Sequence, residues 1–398
     1  MSGCLLKFTQ TYSVKIGGRK YPVVKIGNQL WMAENLDWKF DGCVIGSSDT
    51  STTGLRGNYY NDDEATYGIN GNKYGLLYNW PAAATINTLV TDGWKVPTVN
   101  DVNVLSKVLG TAPGTQLKSK TGWDNDGNGT DVYGFKGVPT GYRQTSFMGI
   151  NTATAFWTLT EIGQYDSYAR TLTSDNTNIG GQLGTNKGFR FAVRLLKFEY
   201  GTVTIGGRDY KTVIIGNQEW LAENLDYKFA YNGSTLPIGE SGNPSTPSAW
   251  YYNNDETNYG IDGTYKCGLL YNWYAAKYLD DNKVTLLPNG WHVPTKNEWD
   301  TLSDYVGGAS IAGTKLKTLD NSVTSSWPNN WNGTNDYGFS ALPAGEPFNN
   351  QWTIFWTSTE NNISTAYYRS MGFDITSLNV NNTNKTGRGS VRLVKTLT

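Results

Sequence analysis

Apolar and polar residues alternate on both sides of a Gly-Gly pair near the beginning of the chain, over residues 14–16 and 21–26. Such alternation predicts a β-hairpin, because successive side chains of a strand point to opposite faces of a sheet and Gly-Gly fits a tight turn. The same pattern returns over residues 203–205 and 210–215. We therefore predict two copies of one hairpin.

Helical spacing of apolar residues follows a capping signal in each half of the chain. A threonine is followed three residues later by an acid, at Thr98 with Asp101 and at Thr295 with Glu298, and this spacing is typical of a capping box at a helix start. Behind each box, apolar residues recur on one helix face, which predicts a helix: they are Val102, Leu105 and Leu109 in the first half, and Trp299, Leu302 and Val306 in the second.

Shorter helices are predicted over residues 76–84 and 269–277, and closing strands over residues 189–195 and 390–395. We expect the first and last strands of each copy to pair and so to close the domain. Short strands and long loops rich in Gly and Asn fill the remainder. The predicted fold class is therefore α+β.

These elements belong to an internal repeat that spans nearly the whole chain. The chain has 398 residues, and this length exceeds the usual limit for one hydrophobic core. Matched blocks keep the same order in both halves: IGGRKY and IGGRDY, IGNQLWMAENLD and IGNQEWLAENLD, GLLYNW twice, GWKVPT and GWHVPT, GTDVYGF and GTNDYGF, FWTLTE and FWTSTE, and AVRL and SVRL. We predict an N-terminal segment over residues 1–11, a first domain over residues 12–197 and a second domain over residues 198–398.

Composition narrows the classes of function. The chain has 15 Trp, 26 Tyr and 46 Gly, with 17% charged residues and a formal net charge of -1, so we expect a globular protein. Such balanced charge disfavours a nucleic-acid partner and a polybasic membrane contact. No stretch is apolar enough for membrane insertion, and no signal peptide is visible. We expect either a protein that has lost its leader or one, such as a virion component, that reaches its site without one.

Residues that would support catalysis are sparse. The one histidine, His292, has Lys95 at the matched position of the first copy and precedes a predicted helix cap, so we predict a structural role for it. The cysteines Cys4, Cys43 and Cys267 form no CxxC pair, which disfavours a zinc site or a disulfide framework. No nucleophile elbow, P-loop or HExxH motif occurs. We therefore predict that the chain is not an enzyme and uses no cofactor, calcium excepted.

Charged and aromatic residues matched between the copies lie in core-like blocks. Paired acids would suit glycosidase chemistry, but we interpret the charged matches as scaffold salt bridges or caps: Glu34 and Glu223, Glu161 and Glu360, Arg170 and Arg369, and Arg194 and Arg392. The aromatic matches are predicted to pack the core: Trp31 and Trp220, Tyr78 and Tyr271, Trp80 and Trp273, Trp94 and Trp291, and Trp157 and Trp356.

An oxygen-rich run in the first copy, DNDGNGTD, is a candidate calcium loop. Its side-chain ligands would be Asp124, Asp126, Asn128 and Asp131, since calcium prefers carboxylate and amide oxygens. The run lacks the Glu that closes an EF-hand loop, and the second copy has lost most of the carboxylates. A turn capped by Asp and Asn side chains is the alternative.

The blocks IGNQ-x-W-x-AENLD, GWHVPT-x-x-EW, GTNDYGFSALPAG and FWTSTE together resemble the Fibrobacter succinogenes major paralogous domain, a family of bacterial surface and secreted proteins. The second copy matches closely, whereas the first departs at Lys95, Val102 and residues 137–140. The segment GW-x-VPT-x-x-EW is also similar to the helix entrance of formylglycine-generating domains. That wider resemblance implies two tandem C-type-lectin-like domains, each a small twisted, mostly antiparallel sheet with two helices and long loops. It also implies ligand binding through the loops before the terminal strands, as in phage receptor-binding relatives.

The two copies differ most over residues 141–155 against 345–354 and over residues 162–186 against 361–385. These variable stretches combine Tyr and Trp, which give rigid contact area, with Asn, Ser and Thr, which give adaptable hydrogen bonds. The mixture also suits sugars, while ordinary solvated loops are the alternative. The candidate ligand-binding residues are Tyr142, Arg143, Phe147, Tyr165, Tyr168, Phe348, Asn349, Asn350, Trp352, Asn361, Asn362, Tyr367 and Asn379.

We interpret the chain as a non-enzymatic, surface-displayed recognition protein that binds a cell-surface glycan or protein receptor, as a phage virion or fibre component. A bacterial secreted or surface adhesin module is the nearest alternative. A second alternative is a structural assembly domain that packs against other virion subunits or in a homo-oligomer. The least favoured alternative is an enzyme of the formylglycine-generating type, because the cysteine pair that holds copper in those relatives has no counterpart here.

Overall fold

The computed structural model describes residues 12–68, 74–181, 184–239, 243–251, 267–318, 327, 333–344 and 351–397. The chain divides into two compact units, with the boundary between Glu199 and Tyr200. The repeats predict a boundary between residues 197 and 198, close to this position.

The first unit alternates short strands with helices. Its strands are β1 (Tyr12–Ile16), β2 (Arg19–Ile26), β3 (Gln29–Met32), β4 (Val44–Ile45), β5 (Arg56–Asn58), β6 (Leu77–Tyr78), β7 (Thr140–Arg143), β8 (Phe147–Ile150), β9 (Ala153–Glu161), β10 (Asp166–Thr173), β11 (Gly184–Asn186), β12 (Phe191–Ala192) and β13 (Leu196–Phe198). Its helices are α1 (Glu64–Tyr67), which a 3-10 turn (Tyr60–Asp62) precedes, α2 (Trp80–Leu89), α3 (Val99–Leu109) and α4 (Pro113–Leu117).

The second unit repeats this plan over its described residues. Its strands are β14 (Gly201–Ile205), β15 (Arg208–Ile215), β16 (Gln218–Leu221), β17 (Ala230–Tyr231), β18 (Ser234–Thr235), β19 (Ala249–Tyr251), β20 (Leu269–Tyr271), β21 (Trp352–Glu360), β22 (Thr365–Gly372), β23 (Asn379–Asn384) and β24 (Val394–Thr396). Its helices are α5 (Trp273–Asp281), α6 (Lys283–Leu286), α7 (Lys296–Tyr305) and α8 (Ala309–Leu316).

The predicted hairpins are confirmed in both units. Strand β1 pairs antiparallel with β2, and β14 pairs antiparallel with β15, around the Gly-Gly turns. Gly17 and Gly206 have φ values of +55° and +59°, and a Cβ at either position would collide with the ring of Trp38 or of Tyr227. Glycine is therefore required by the backbone of the turn and by the ring packed on it.

Each hairpin extends into a four-stranded sheet, ordered β1-β2-β3-β13 in the first unit and β14-β15-β16-β24 in the second. The closing strand pairs with the third strand, so that Leu196 lies opposite Trp31 and Val394 lies opposite Trp220. The expected pairing of first and last strands is therefore wrong. Strands β3 and β16 continue the hairpins, and the closing strand adds to their free edges.

The predicted helix starts are confirmed at the two capping boxes. Thr98 and Thr295 accept from the third backbone N–H of α3 and α7, and the acids Asp101 and Glu298 accept from the cap residue in return. The shorter helices α2 and α5 begin later than predicted. The residues just before them form the strands β6 and β20, and an asparagine between strand and helix caps the helix N-terminus in both units.

A second sheet carries the longest strand of each unit, β9 in the first and β21 in the second. In the first unit its order is β11-β10-β9-β12-β6-β5-β4, with β7 beside β9 and β8 beside β7. In the second unit the described strands β21, β22 and β23 are neighbours in that order. Most strand pairs are antiparallel, although β4 with β5, β7 with β9 and β9 with β12 are parallel. Both units are therefore of α+β architecture.

The matched aromatic residues pack the core, as predicted. Tyr78, Trp157, Tyr271 and Trp356 are fully buried. The indole N–H of Trp157 donates to the carbonyl oxygen of Tyr78 at 2.7 Å, and that of Trp356 donates to the carbonyl oxygen of Tyr271 at 2.8 Å. Trp80 is only half-buried. The frame of the two units is therefore built from the same aromatic contacts.

Most of the matched charged residues hold this frame together, as predicted. Glu34 pairs with Arg19 at 2.5 Å and Glu223 pairs with Arg208 at 2.6 Å. Glu161 and Glu360 pair with Lys187 and Lys385. Of the matched arginines, Arg369 pairs with Asp300 at 2.5 Å and Arg170 donates to the Asn103 side chain at 2.7 Å.

Arg194 and Arg392 are buried at equivalent places among amide and carbonyl oxygens. Their Nε atoms donate to the side-chain oxygens of Asn35 and Asn224 at 2.7 and 2.8 Å, and their remaining N–H groups donate to backbone carbonyls. Burial lowers the pKa of each guanidinium to about 9. Arg194 also donates to the Met32 carbonyl oxygen at the end of β3 at 3.4 Å, and Arg392 donates to the Leu221 carbonyl oxygen at the end of β16 at 3.1 Å, so each arginine ties the segment after the second sheet to the first sheet in the same way.

Among the described residues, no helix is long and apolar enough to cross a membrane.

Candidate functional site

The variable stretches contain strands where loops were expected. In the first unit, residues 141–155 contain most of β7, all of β8 and the start of β9, and residues 162–186 contain β10 and β11. In the second unit, β21 begins at Trp352, and residues 361–385 contain β22 and β23. The stretches lie side by side, because β9 pairs with β10 and β21 pairs with β22. Variation between the copies is therefore concentrated on one sheet in each unit.

In the first unit, two of the candidate residues take part in packing. Tyr142 is half-buried, and its ring lies 5.7 Å from that of Phe191. Arg143 is 5% exposed and donates to the carbonyl oxygens of Ser47 and Ser48, both at 3.1 Å. Arg143 therefore fastens a neighbouring loop.

The other candidates of the first unit lie in different surroundings. Phe147 is half-buried, with its ring 5.3 Å from that of Tyr60. Tyr168 lies half-buried on β10. Tyr165 lies in the turn between β9 and β10 and is 58% exposed. The structure thus does not bring the first-unit candidates together into one exposed surface.

In the second unit, Trp352, Tyr367 and Asn379 lie on β21, β22 and β23, and Asn361 and Asn362 lie in the turn between β21 and β22. The remaining candidates lie outside the described residues: Phe348, Asn349 and Asn350.

The strand register brings five side chains onto one face of this sheet. Trp352 lies opposite Gly372, and Ile354 lies opposite Ser370, which lies opposite Asn379. In the next row Trp356, Tyr368 and Asn381 lie opposite one another. Side chains at opposed positions share a face. Five of the side chains in these rows are at least partly exposed, and we call these five the amide-aromatic face: Trp352, Ile354, Tyr368, Asn379 and Asn381.

This face is partly accessible, whereas its counterpart in the first unit is buried. Asn381 is exposed and the other members of the face are half-buried. The matched positions in the first unit have small, buried residues: Ala153, Ala155 and Ala169 are 9%, 2% and 5% exposed. Ala155 and Ala169 belong to the core cluster of the first unit together with Trp157 and Phe191, and a Cβ added to Gly149 on β8 would be 3.2 Å from the Cβ of Ala153. The same sheet face is therefore core in one unit and partly surface in the other.

Trp352 and Gly372 form a matched pair of opposed residues. A Cβ added to Gly372 would lie 3.0 to 3.1 Å from Cη2, Cζ3 and Cζ2 of the indole. These near-equal distances place the six-membered ring over the glycine rather than edge-on to it. The first unit has Ala153 opposite Thr173 in the same register. Gly372 on β22, which has no side chain, thus leaves room for the large side chain of Trp352 on β21.

The two asparagines of the face are held by one hydrogen bond each. The Oδ1 atom of Asn379 accepts from the Ser377 hydroxyl at 2.8 Å, and the Nδ2 group of Asn381 donates to the Ser370 hydroxyl at 3.2 Å. Within the described residues, Nδ2 of Asn379 and Oδ1 of Asn381 have no protein partner. The face therefore offers one oriented donor and one oriented acceptor.

Tyr367 points to the opposite face of the sheet. It alternates with Tyr368 and shares its face with Arg369, which donates to the carbonyl oxygen of Lys296 at 3.0 Å and pairs with Asp300. Both of these partners belong to α7. The sequence-based set therefore mixes the two sides of one sheet.

The structure adds Ile354, Tyr368 and Asn381 to the site, and sequence reasoning missed all three. Tyr368 is matched by Ala169, and this replacement of a small residue by an aromatic one was available as a signal. Asn381 lies two residues after Asn379, and period-two spacing places both on one side of a strand. Both signals require the segment to be recognised as a strand.

The turn between β21 and β22 is held rigidly. The Oδ1 atom of Asn362 accepts from the N–H groups of Ser364 and Thr365, both at 2.9 Å. The ammonium group of Lys385 donates to the Ile363 carbonyl oxygen at 2.9 Å. Asn361 bonds the hydroxyl of Thr365 through its Nδ2 group. Asn361 and Asn362 are exposed but serve to shape the turn.

The candidate calcium loop has the contacts of a capped turn. Oδ1 of Asn128 accepts from the Trp123 N–H at 3.1 Å, and Oδ1 of Asp131 accepts from the Lys136 N–H at 2.8 Å. Asp124 and Asp126 are exposed. Over the described part of the chain, no group of three or more His, Cys, Asp or Glu side chains is placed to hold a metal ion. Calcium binding here stays a prediction.

His292 has the structural contacts that its position predicts. Its Nε2 atom lies 2.6 Å from Oε1 of Glu298, and its Nδ1 atom lies 3.0 Å from the Gly290 carbonyl oxygen. In the first unit, Lys95 pairs with Asp101 at 2.9 Å in the same place. Both units therefore set a nitrogen base beside the acid of the capping box.

The two cysteine thiols among the described residues are poorly suited to nucleophilic chemistry, and Cys4 lies outside the described residues. Burial raises the pKa of both Cys43 and Cys267 to about 11, so that both are protonated near neutral pH.

A protein-family model matches the chain in two segments. The model of the Fibrobacter succinogenes major domain matches residues 24–197 and 213–395. The two matched segments include the capping-box helices, the second sheets and the buried arginines of both units. No curated protein matches the chain significantly.

Proposed function

The chain belongs to the Fibrobacter succinogenes major domain family, and we propose that it is a non-enzymatic recognition protein that binds a cell-surface ligand through the amide-aromatic face of its second unit. In this proposal two tandem C-type-lectin-like domains display the face from the surface of a phage virion or a bacterial cell. The ligand is a glycan or a protein receptor of the target cell.

The pair formed by Trp352 and Gly372 carries this proposal. The first unit has Ala153 and Thr173 in the same register, so the sheet itself does not need an indole at this position. The indole of Trp352 lies over Gly372 and remains half-exposed, and exposed aromatic surface that the shared frame does not require is typical of a contact surface. Placement of a rigid aromatic contact for a ligand accounts for both residues.

The frame beneath the face is shared by the two units, and this supports a recognition role. Arg392 has the same contacts as Arg194, and Trp356 has the same contact as Trp157. Residues on the sheet therefore differ between the units while the supporting contacts stay the same. A constant frame with variable contact residues is the arrangement used by binding proteins that present loops or strands to ligands.

A non-enzymatic role is supported by the state of the reactive groups. His292 is engaged with Glu298, and the matched glutamates are engaged in scaffold ion pairs. The amide-aromatic face itself has no titratable group except the Tyr368 phenol, whose pKa is raised by burial. Such a face binds by stacking and neutral hydrogen bonds.

Binding of the labelled full chain to a panel of bacterial strains with different surface glycans tests the proposal. The double variant Trp352→Ala with Gly372→Thr gives the second unit the type of pair that the first unit already has, so we expect it to fold. We expect the original chain to bind a subset of strains and the double variant to lose at least tenfold in affinity. Tyr367→Ala, on the opposite face, is the matched control and should bind as before.

Equal binding by the original chain and the double variant would overturn the proposal, as would binding to no strain at all. Thermal melts of all three proteins separate a lost contact from a lost fold. An original chain that binds no cell but assembles into particles with virion subunits would indicate the structural-assembly alternative.

A further inference from the structure

We propose that strand β23, at the free edge of the second sheet of the second unit, pairs antiparallel with the β23 strand of a second copy of this chain. The two copies then share one continuous sheet. This pairing lies outside the proposed function and does not rest on it, because it uses the backbone edge of the sheet and needs no ligand on its face.

The backbone groups of β23 point alternately to β22 and to the free edge. Lys385, one residue after β23, donates its N–H to the carbonyl oxygen of Ser364, one residue before β22, at 3.0 Å. In an antiparallel pair such bonds recur at every second residue. The register between β22 and β23 therefore turns the N–H and C=O groups of the intervening residues to the free edge, and these residues are Val380, Asn382 and Asn384.

The middle of this edge is open over the described part of the chain. The Leu378 N–H, just before the strand, donates to the Ala309 carbonyl oxygen at 2.8 Å, and the Asn384 carbonyl oxygen accepts from the Gly387 N–H at 2.8 Å. Between these two contacts, no hydrogen bond of the described residues reaches the outward backbone groups. Such a row of unpaired N–H and C=O groups is a template for another strand.

Strand β23 lacks the features that usually protect an edge from pairing, which are charge, proline, short length and bulges. Its sequence, NVNNTN, has no charge and no proline, and all six residues pair with β22 in unbroken register. The cations beside it in sequence and in register are turned inward. Lys385 is 4% exposed and pairs with Glu360, and Arg369 is 1% exposed and pairs with Asp300.

The matching edge of the first unit is a poorer template. Its strand β11 has three residues, Gly184–Asn186, against six in β23. Further along this edge, the pairing that the structure describes is a single bridge between Thr171 and Gly180. A short strand interrupted by glycine offers few backbone groups in a row. The contrast between the units therefore favours pairing through the second unit.

The surroundings of the edge favour a second copy over a foreign peptide. Sites that bind a peptide by strand addition obtain specificity from pockets for alternate side chains. On β23, side chains on both faces of the strand are exposed, so the edge has no such pocket beside it: they are Val380, Asn381, Asn382 and Asn384. An identical strand needs no pocket, because two uncharged edges meet without repulsion and opposed amide side chains can bond to one another.

One register uses every outward residue. A two-fold axis through Asn382 places this residue opposite Asn382 of the second copy, and Val380 opposite Asn384 of the second copy. Each of these opposed pairs can exchange two backbone hydrogen bonds. Because directly opposed residues share a face of the sheet, the amide-aromatic faces of the two copies then lie on the same side.

Sedimentation equilibrium of the full chain over a range of concentrations tests the inference. We expect a reversible equilibrium between the monomer and a dimer of twice its mass. Asn382→Lys sets like charges directly opposite one another, and Asn382→Pro removes an outward N–H without removing a bond to β22. Each should raise the dissociation constant of the dimer at least tenfold. Asn382→Thr is neutral and suits a strand, so it should change this constant little.

Asn289→Lys is the matched control, because it adds the same charge to the same unit at an exposed residue in the turn before Trp291. It should dimerise as the original chain does. Thermal melts of all variants separate a lost contact from a lost fold. A chain that stays monomeric at every concentration would overturn the inference. Undiminished dimerisation of both Asn382→Lys and Asn382→Pro would also overturn it, since the contact would then lie elsewhere.

Hydrogen exchange of the original chain locates the contact without any substitution. The outward N–H groups of β23 face solvent in the monomer and donate to the second copy in the dimer. Peptides that cover residues 379–384 should therefore gain protection as the concentration rises, and peptides that cover β11 are the internal control and should not. Protection that rises at β11, or at neither edge while the mass doubles, would overturn the assigned interface.

Discussion

Val102 and Trp299 occupy the same position of the repeated fold. In the second unit the indole of Trp299 fills a space in the core, and in the first unit the corresponding space beside Val102 stays partly open. In the second unit the Trp299 ring lies 4.7 Å from Trp220, 5.8 Å from Phe339 and 5.4 Å from Phe355. The corresponding rings of the first unit, Trp31, Phe135 and Phe156, line an apolar cavity of about 30 Å³ beside Val102.

The aromatic frame around this position is the same size in both units. The rings of Trp31 and Phe135 are 5.9 Å apart, and those of Trp220 and Phe339 are 5.8 Å apart. The frame has therefore not contracted around the smaller Val102. The second unit is packed more completely at the start of its capping-box helix.

Trp299→Val should destabilise the second unit by about 3–5 kcal/mol, because it removes a buried indole and leaves a cavity in a frame that does not contract. Hydrogen exchange measured by mass spectrometry on the full chain checks this, since peptides from the two units report separately. Protection should fall in the second unit and stay unchanged in the first. Trp299→Phe should cost less, because it keeps a ring and removes an indole N–H that has no partner within the described residues.

Val102→Ile should stabilise the first unit by about 0.5–1 kcal/mol, because the added methylene enters apolar space that is empty. Urea denaturation, followed by exchange in first-unit peptides, measures the difference. The control is Val104→Ile, a substitution on the same helix at a buried residue that does not line the pocket. Equal effects of the two substitutions would contradict the packing argument.

The fold was largely predictable from local patterns. Alternation around Gly-Gly gave the hairpins, and Thr98 with Asp101 and Thr295 with Glu298 gave the principal helices, because turns and caps depend on neighbouring residues. The pairing of the closing strands with β3 and β16 was not predictable in this way. It depends on which sheet edge is free after the chain has folded, and no short segment encodes that.

The candidate site was predicted only in part, since difference between the repeats locates variation without giving its orientation. Trp352 and Asn379 lie on the amide-aromatic face, whereas Tyr367 lies on the other side of the sheet. Arg143 is buried beneath a loop. Once a stretch is treated as a loop, the period of two that separates the faces is lost.

Arg143→Ala should destabilise the first unit by about 1–3 kcal/mol, because it removes the side-chain donor to the Ser48 carbonyl oxygen and one of the two side-chain donors to the Ser47 carbonyl oxygen. Tyr165→Ala, also among the sequence-based candidates, should change stability by less than about 0.5 kcal/mol, because the side chain is 58% exposed. Thermal unfolding of the two variants measures the contrast. Equal destabilisation would contradict the assignment of Arg143 as a structural residue.

His292 should titrate above its ordinary pKa of 6.5, because the hydrogen bond to Glu298 favours the imidazolium and outweighs the opposing effect of burial. The chain has one histidine, so a single imidazole resonance in an NMR titration reports the value directly. Glu298→Gln should bring the pKa of His292 down. A midpoint that does not respond to Glu298→Gln would show that the contact does not set the titration.

The same shift makes the second unit depend on pH. A histidine whose pKa is higher in the folded state than in the unfolded chain binds more protons when folded, so its contribution to stability is fully present below pH 6.5 and is lost as pH rises through the folded pKa. The variant His292→Lys, which introduces the residue that the first unit has as Lys95, keeps a positive charge throughout this window. Between pH 6 and pH 8 the original second unit should therefore lose protection against hydrogen exchange, and the His292→Lys variant should lose less, after correction for the intrinsic exchange rate.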